Sequence, residues 1–261
     1  MHTDSEFSQV RMVWQYPIDA TTVRTFQKFL WKDMPCAALP TDPATGLPWY
    51  TPGPELDSFR LSSKSHWDIP IIIGNQTVHF LASHPTPPVF DGPEDRNGKR
   101  NHDEIRFWKD YISGQHKSSY IYDDKGSRGG INGDLFVIAG DMNADPFDGD
   151  SYNQAIEQLL NHRKINTDIT PSSIGAVEQD FLQKQANLQH CGEDKYDTAD
   201  FADFGTNPGN LRADYVLPSR NLKIVSSGVF WPFSTHPDFA LVGIYPFPSS
   251  DHKMVWVDVE R

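Results

Sequence analysis

An α/β fold is the class this sequence predicts, and three observations predict it. Short, strand-like apolar runs alternate with amphipathic segments along the chain. Neither a Gly-rich dinucleotide fingerprint nor a phosphate-loop pattern occurs, so the nucleotide-binding α/β folds lack their usual sign. The chain has 261 residues, enough for one sizeable core, and a single domain over residues 1–261 is expected. A two-sheet sandwich with flanking helices fits these facts best, with the chemistry on loops at one end of the strands.

Strands and helices can be placed in order. Gln9–Trp14 is a candidate strand that stops at Tyr16-Pro17. Ala20–Trp31 spaces Val23, Phe26, Phe29 and Leu30 as a helical or partly helical face, and Asp33–Leu61 is Pro-rich and irregular. Ser65–Ile73 and Thr77–Ser83 read as a hairpin turning at Gly74-Asn75, with Pro70 marking an edge or an irregularity. A helix is expected to open at Asn101 or His102. Asp103 and Glu104 then complement its dipole, and Ile105, Phe107, Trp108, Tyr111 and Ile112 form its apolar side. Leu135–Ala139 is a continuous apolar run of the kind found in buried strands. Asn153–Leu160 and Ser172–Gln185 read as helices, and Tyr196–Asn210 as an acidic loop. Ala213–Leu217, Leu222–Val229 and Met254–Val259 read as strands. There is no internal repeat.

Composition narrows the function classes. A net charge of −12 argues against a generic nucleic-acid binder, because that binding depends on Lys and Arg neutralising phosphates. Bound metal would offset the acidity locally, so a phosphorylated substrate stays in play. The apolar fraction is 38% and no stretch is long enough to span a bilayer. The only two cysteines, Cys36 and Cys191, are too few for a disulfide framework, though one bridge stays open. Met1–Gln9 lacks the basic start and apolar run of a secretory signal, which taken alone reads as a cytoplasmic start.

Three segments that end apolar runs carry the chemistry: Ser83-His84-Pro85, Gly140-Asp141-Met142-Asn143 and Ser250-Asp251-His252. They supply two histidines, two acids and an amide, a set able to hold a divalent metal and a phosphate and to deprotonate water. Extended backbone puts Asp141 and Asn143 on one side. An Asx-turn closing a strand is the plainer reading of that pair, and a satisfied polar residue the plainer reading of His84. Asp251 and His252, as neighbours in extended chain, need a kink to serve one site. Asp214, in Arg212-Ala213-Asp214-Tyr215, is placed to hold His252 in one tautomer. The joint occurrence of these segments in this order is harder to attribute to chance than any one of them.

In that order, Ser-His-Pro, Gly-Asp-Met-Asn-Ala-Asp-Pro, Arg-Ala-Asp-Tyr-Val-Leu and Ser-Ser-Asp-His resemble the endonuclease/exonuclease/phosphatase superfamily. His84–Trp108 resembles a bacterial branch of it, and the resemblance runs from about Tyr16 to the C-terminus. It implies a four-layered α/β-sandwich, two packed and mostly antiparallel sheets flanked by helices. It also implies a metal-dependent phosphoester hydrolase. Asp141 would orient or deprotonate the water, and Asn143 would contact phosphate. Asp251 and Asp141 would serve the metal, which the oxygen-rich ligands suggest is Mg²⁺ or Mn²⁺, with Ca²⁺ also admitted. His252 would act as second base or phosphate-binding group with Asp214 as its partner, and His84 would stabilise the transition state or leaving group. The implied substrate is a phosphorylated small molecule or lipid-like phosphate, ahead of nucleic acid.

The resemblance also implies an upstream strand ending in Asn and another ending in a metal-binding Glu. Glu6 stands too close to Tyr16-Pro17 to be that Glu, so the chain reads as N-terminally truncated. Reduced metal affinity is then expected, with an open sheet edge covered by a homodimer or a rearranged N-terminal strand. Asp91, Glu94, Asp95 and Asn97, and Asp197, Asp200 and Asp203, form oxygen-rich loops with Ca²⁺ as a weaker reading than solvation. Trp231 and Phe233 are core anchors or candidates for a cleft wall. Two other readings compete: a non-catalytic remnant of the fold, and a hydrolase of other esters. The lack of a Gly-x-Ser-x-Gly elbow counts against a serine esterase.

Overall fold

The computed structural model describes residues 15–261, so the candidate strand at residues 9–14 and Glu6 lie outside the described residues. The strands are β1 (Arg24–Thr25), β2 (His66–Ile73), β3 (Gln76–Ser83), β4 (Phe136–Asp141), β5 (Ala199–Asp200), β6 (Asn210–Leu211), β7 (Asp214–Pro218), β8 (Lys223–Phe230) and β9 (Met254–Glu260). The helices are α1 (Arg96–Ile112), α2 (Gln115–Ser118), α3 (Glu157–Leu160), α4 (Ile174–Gln183) and α5 (Phe239–Val242). The fold is α/β. A five-stranded sheet runs in the order β1-β2-β3-β4-β7, and β5-β6 and β8-β9 form two smaller sheets.

The β2–β3 hairpin forms because apolar and β-branched residues fill both strands and Gly74 accepts the left-handed φ of +61° that its tight turn requires. Pro70 sits on the edge of β2 beyond the short β1, where it takes part through its carbonyl, which accepts from Asp19 N at 3.0 Å beside the Ile18–Ile71 bridge. β4 then joins β3 in parallel, with Ala82 beside Ala139, and β7 joins β4 antiparallel, with Asp141 opposite Asp214. These two registers bring the ends of β3 and β4 and the start of β7 to one rim.

α1 closes one face of this sheet. Ile105, Phe107, Trp108, Tyr111 and Ile112 are buried with Leu81, Phe136, Ile138 and Leu217. Burying a side chain such as Phe107 is worth about 1.5–3 kcal/mol. Edge-to-face rings tie Phe26 to Phe107 at 5.0 Å and to Tyr111 at 5.3 Å. A smaller core joins Ala176, Val229, Trp231 and Val242 between α4, α5 and β8.

Four sequence expectations are corrected. Ala20–Trp31 is not helical. It gives the two residues of β1, paired to β2, and a 3₁₀ turn at Trp31–Asp33, because Phe26 and Phe29 gain more by inserting into the α1 aromatics than local spacing offers. α1 begins at Arg96, earlier than Asn101. Asp103 and Glu104 are therefore buried mid-helix acids rather than first-turn charges. Asp103 accepts from the Trp31 indole and Ala38 N at 2.7 Å each, and Glu104 from Ser63 N at 2.8 Å and Thr86 N at 2.6 Å. The helix expected over Asn153–Leu160 is broken. Asn153 adopts φ +49°, leaving a 3₁₀ turn and the four residues of α3, with Ala155, Ile156 and Leu159 buried as foreseen. The acidic loop Tyr196–Asn210 contains β5 and begins β6. By contrast, α4 starts where expected, with Ser173 Oγ accepting from Ala176 N at 3.1 Å.

Candidate active site

The last residue of β4 is Asp141, and the turn after it is built tightly. Gly140 has φ +148°, and a Cβ there would lie 1.9 Å from the Ser83 carbonyl oxygen, so only glycine lets β4 approach the end of β3 this closely. Met142 is buried, and its N–H donates to the Ala213 carbonyl at 2.8 Å. Asn143 turns in the left-handed region at φ +49°. Its N–H donates to Asp141 Oδ1 at 2.8 Å, the Asx geometry the sequence suggests. Its Nδ2 donates to Asp141 Oδ2 and to the Pro85 carbonyl, each at 3.1 Å. Both amide hydrogens are thus spent on positioning the acid and the His84–Pro85 loop.

Two histidines converge on Asp141, and a carboxylate backs one of them. His84 Nε2 lies 3.2 Å from Asp141 Oδ2, and His252 Nε2 lies 3.8 Å from the same oxygen on its other side. His252 Nδ1 meets Asp214 Oδ2 at 2.8 Å. Thr198 Oγ1 donates to that same oxygen at 2.9 Å and accepts from Ala213 N and Asp214 N at 3.0 and 2.9 Å, locking the carboxylate in place. The backbone pairs Ala199 with His252, and the Phe201 ring meets the imidazole edge-on at 5.3 Å.

Electrostatics separate the two histidines. Burial first, then the charges of Lys64 and His252, pull His84 down to about 4, so it is neutral at pH 7. Burial opposes charge on His252 too. The hydrogen bond to Asp214 and the carboxylates of Asp214, Asp141 and Asp251 outweigh it and push His252 up to about 9. Burial and the adjacent Asp214 charge raise Asp141 to about 7. Lys64 was absent from the sequence expectations. The β2–β3 register, His66 opposite Ser83, carries it to the same rim, and burial lowers its pKa against the pull of Glu104 and Asp141.

Of the expected residues, the structure gathers His84, Asp141, Asn143, Asp214 and His252. Asp251 stands apart. Among the described residues, the one group of three or more candidate ligands whose donor atoms lie within 4.8 Å of one another is Asp141, Asp214 and His252. Asp251 instead accepts from the Ser250 hydroxyl at 3.3 Å, and its carbonyl accepts from Asp200 N at 2.9 Å. The donor chemistry of the group suits a hard divalent cation. Two carboxylates lie side by side with their mutual repulsion only partly relieved, as the raised Asp141 shows.

The other acidic loops are partly tied internally, with Asp200 Oδ2 buried and left without a partner. Asp91 accepts from Asn97 N at 2.6 Å, Glu94 pairs with Arg96, and Asp200 accepts from Gln183 at 2.9 Å. Trp231 is a core residue, and neither it nor Phe233 lines the cleft. Phe90 and Phe201 do, and no periodicity in the sequence singled them out.

The α/β sheet thus gathers a neutral histidine, a charged histidine and two carboxylates at one rim, groups able to accept and donate protons side by side. The model of the endonuclease/exonuclease/phosphatase family matches residues 2–252, and the chain belongs to that family. No curated protein sequence matches it. Among solved structures, it resembles a family protein from Leptotrichia buccalis, 17% identical over 76% of this chain and 53% of that one, TM-score 0.39. It also resembles the inositol polyphosphate 5-phosphatase domain of synaptojanin, solved with inositol (1,4)-bisphosphate and calcium. That match is 16% identical over 76% and 51%, TM-score 0.37. A third is ANGEL2, a 2',3'-cyclic phosphatase, 14% identical over 91% and 65%, TM-score 0.39. The chain spans about half the length of the first two.

Proposed function

We propose that the chain is a metal-dependent phosphoester hydrolase acting on a phosphorylated small molecule or lipid-like phosphate. The observation that carries this is Asp141 set between a neutral His84 and a charged His252. Asp141, with its pKa near 7, takes the proton of the attacking water. His252, held by Asp214, keeps its proton at neutral pH and offers Nε2–H to a phosphoryl or leaving oxygen. His84 presents a neutral ring to the same space, and Asn143 fixes the acid. Asp141 and Asp214 would hold Mg²⁺, Mn²⁺ or Ca²⁺, which when bound supplies Lewis-acid polarisation of a phosphoryl oxygen.

The test is hydrolysis of bis-p-nitrophenyl phosphate and p-nitrophenyl phosphate in EDTA, Mg²⁺, Mn²⁺ or Ca²⁺, beside Asp141→Asn and His252→Ala. Metal-stimulated turnover lost in both variants is the expected result. Turnover unaffected by EDTA and by both substitutions would overturn the reading, and a folded, inert protein would make the chain a non-catalytic remnant.

A further inference from the structure

The reacting group opens into a cavity of about 790 Å³ whose walls show no lysine or arginine. Its lining includes Pro87–Phe90, the loop that follows His84, together with Phe201, Pro208 and Leu211. Phe90 is 89% exposed, and it is held there at φ +64°, a conformation unfavourable for a bulky residue. Asn97 Nδ2 on the Val89 carbonyl at 2.7 Å and Arg96 on the Phe90 carbonyl at 3.2 Å hold the turn. The ring is presented rather than left over. Phe201, in the same lining, meets the His252 ring edge-on at 5.3 Å.

The charges in the cavity point the same way. Away from the reacting group its ionisable residues are Asp145, Asp148 and Asp150, all acidic. Asp145 is tied to backbone N–H groups of Phe147, Asp148 and Arg212, and Asp148 to those of Cys191 and Gly192. A second phosphate would meet carboxylates and no cation, whereas an uncharged apolar arm would meet proline, leucine and two phenyl rings.

Resting on the hydrolase reading above, we propose that the site takes singly charged phosphodiesters with one apolar, uncharged ester arm. That arm seats between Phe90 and Phe201, which set specificity. Water oxygen bonds to phosphorus as one P–O ester bond breaks. The water's proton passes to Asp141 and the departing oxygen receives one from His252, giving a phosphomonoester and an alcohol or phenol. A free aryl or alkyl diester and a lipid phosphodiester share this chemistry.

The test compares kcat/KM for methyl, butyl and phenyl p-nitrophenyl phosphate, and for the p-nitrophenyl ester of thymidine 5'-monophosphate. A rise of roughly tenfold or more from methyl to phenyl, carried by KM, is expected. The phenyl-to-methyl ratio should fall toward one in Phe90→Ala and in Phe201→Ala, each variant serving as its own control for folding. A ratio unchanged in both variants, or preference for the thymidine ester or an oligonucleotide, would overturn the proposal while leaving hydrolysis intact. Calorimetric binding of diphenyl against dimethyl phosphate separates the two readings. Phe90-dependent binding of the diphenyl ester without any turnover would sink the hydrolase reading and keep this one. With a short-chain phospholipid, a rate jump at micelle formation assigns the lipid source, and smooth saturation the soluble one.

Discussion

Replacing Asp214 by Asn isolates the strongest electrostatic contact in the site. Asp214 Oδ2 lies 2.8 Å from His252 Nδ1 and is the main reason the imidazole rises from 6.5 to about 9 despite its burial. That gap corresponds to about 3 kcal/mol, or about 2–3 kcal/mol after allowance for the partial exposure of the ring. The sign follows from the direction of the shift. A histidine whose folded pKa is raised contributes stability that is full below its unfolded value and is lost as pH rises through the folded one. The advantage of the parent over Asp214→Asn should therefore be greatest near pH 6 and fade above pH 9. Asp141 acts in the same direction, since the parent alone pays for two adjacent charges once Asp141 ionises near pH 7. Urea denaturation of both proteins from pH 6 to 10 measures the difference, and NMR titration of the His252 ring measures its cause. A midpoint still near 9 in the variant, or a stability gap that does not change with pH, would refute the reasoning.

Other perturbations test the scaffold and the neighbouring charges. Gly140→Ala forces a Cβ to within 1.9 Å of the Ser83 carbonyl and should cost about 3 kcal/mol or more in denaturant titrations; a loss under about 1 kcal/mol would show that the rim can relax. Lys64→Met removes one of the two charges that, after burial, lower His84, so the His84 midpoint should rise from about 4 by NMR while burial still holds it below the ordinary value, and no movement would place Lys64 away from the site. Glu104→Gln puts an amide donor among groups that already donate, Ser63 N and Thr86 N, and should destabilise by about 2–4 kcal/mol without altering the His252 titration.

What was legible in the sequence was what is local. Asp141 and Asn143 sit two residues apart after a continuous apolar run, so strand, turn and site can be read from adjacent letters. The hairpin over β2 and β3 is equally local, fixed by two apolar, β-branched runs on either side of Gly74-Asn75. What was missed depends on contacts between segments remote in the chain. Ala20–Trp31 has helical spacing, yet Phe26 and Phe29 are claimed by α1 rings some eighty residues on. Asp103 and Glu104 look like first-turn acids until Trp31, Ala38, Ser63 and Thr86 arrive to donate to them. Thr198, which fixes Asp214, lies in what reads as a loop, and only the folded chain shows that its hydroxyl bridges to β7.

The opposite charge states of the two histidines follow from topology. Parallel pairing of β3 with β4 sets His84 abreast of Asp141, where its ring is buried beside the charges of Lys64 and His252 and so stays neutral. Antiparallel pairing of β4 with β7 sets Asp214 opposite Asp141, and the bridge from Ala199 swings His252 onto it, so this ring stays charged. One side chain type thereby supplies two protonation states within reach of a single carboxylate oxygen. Exchanging the two strand pairings would leave the residues unchanged and remove the asymmetry. The charge asymmetry therefore resides in the register of the sheet as much as in the identity of its residues.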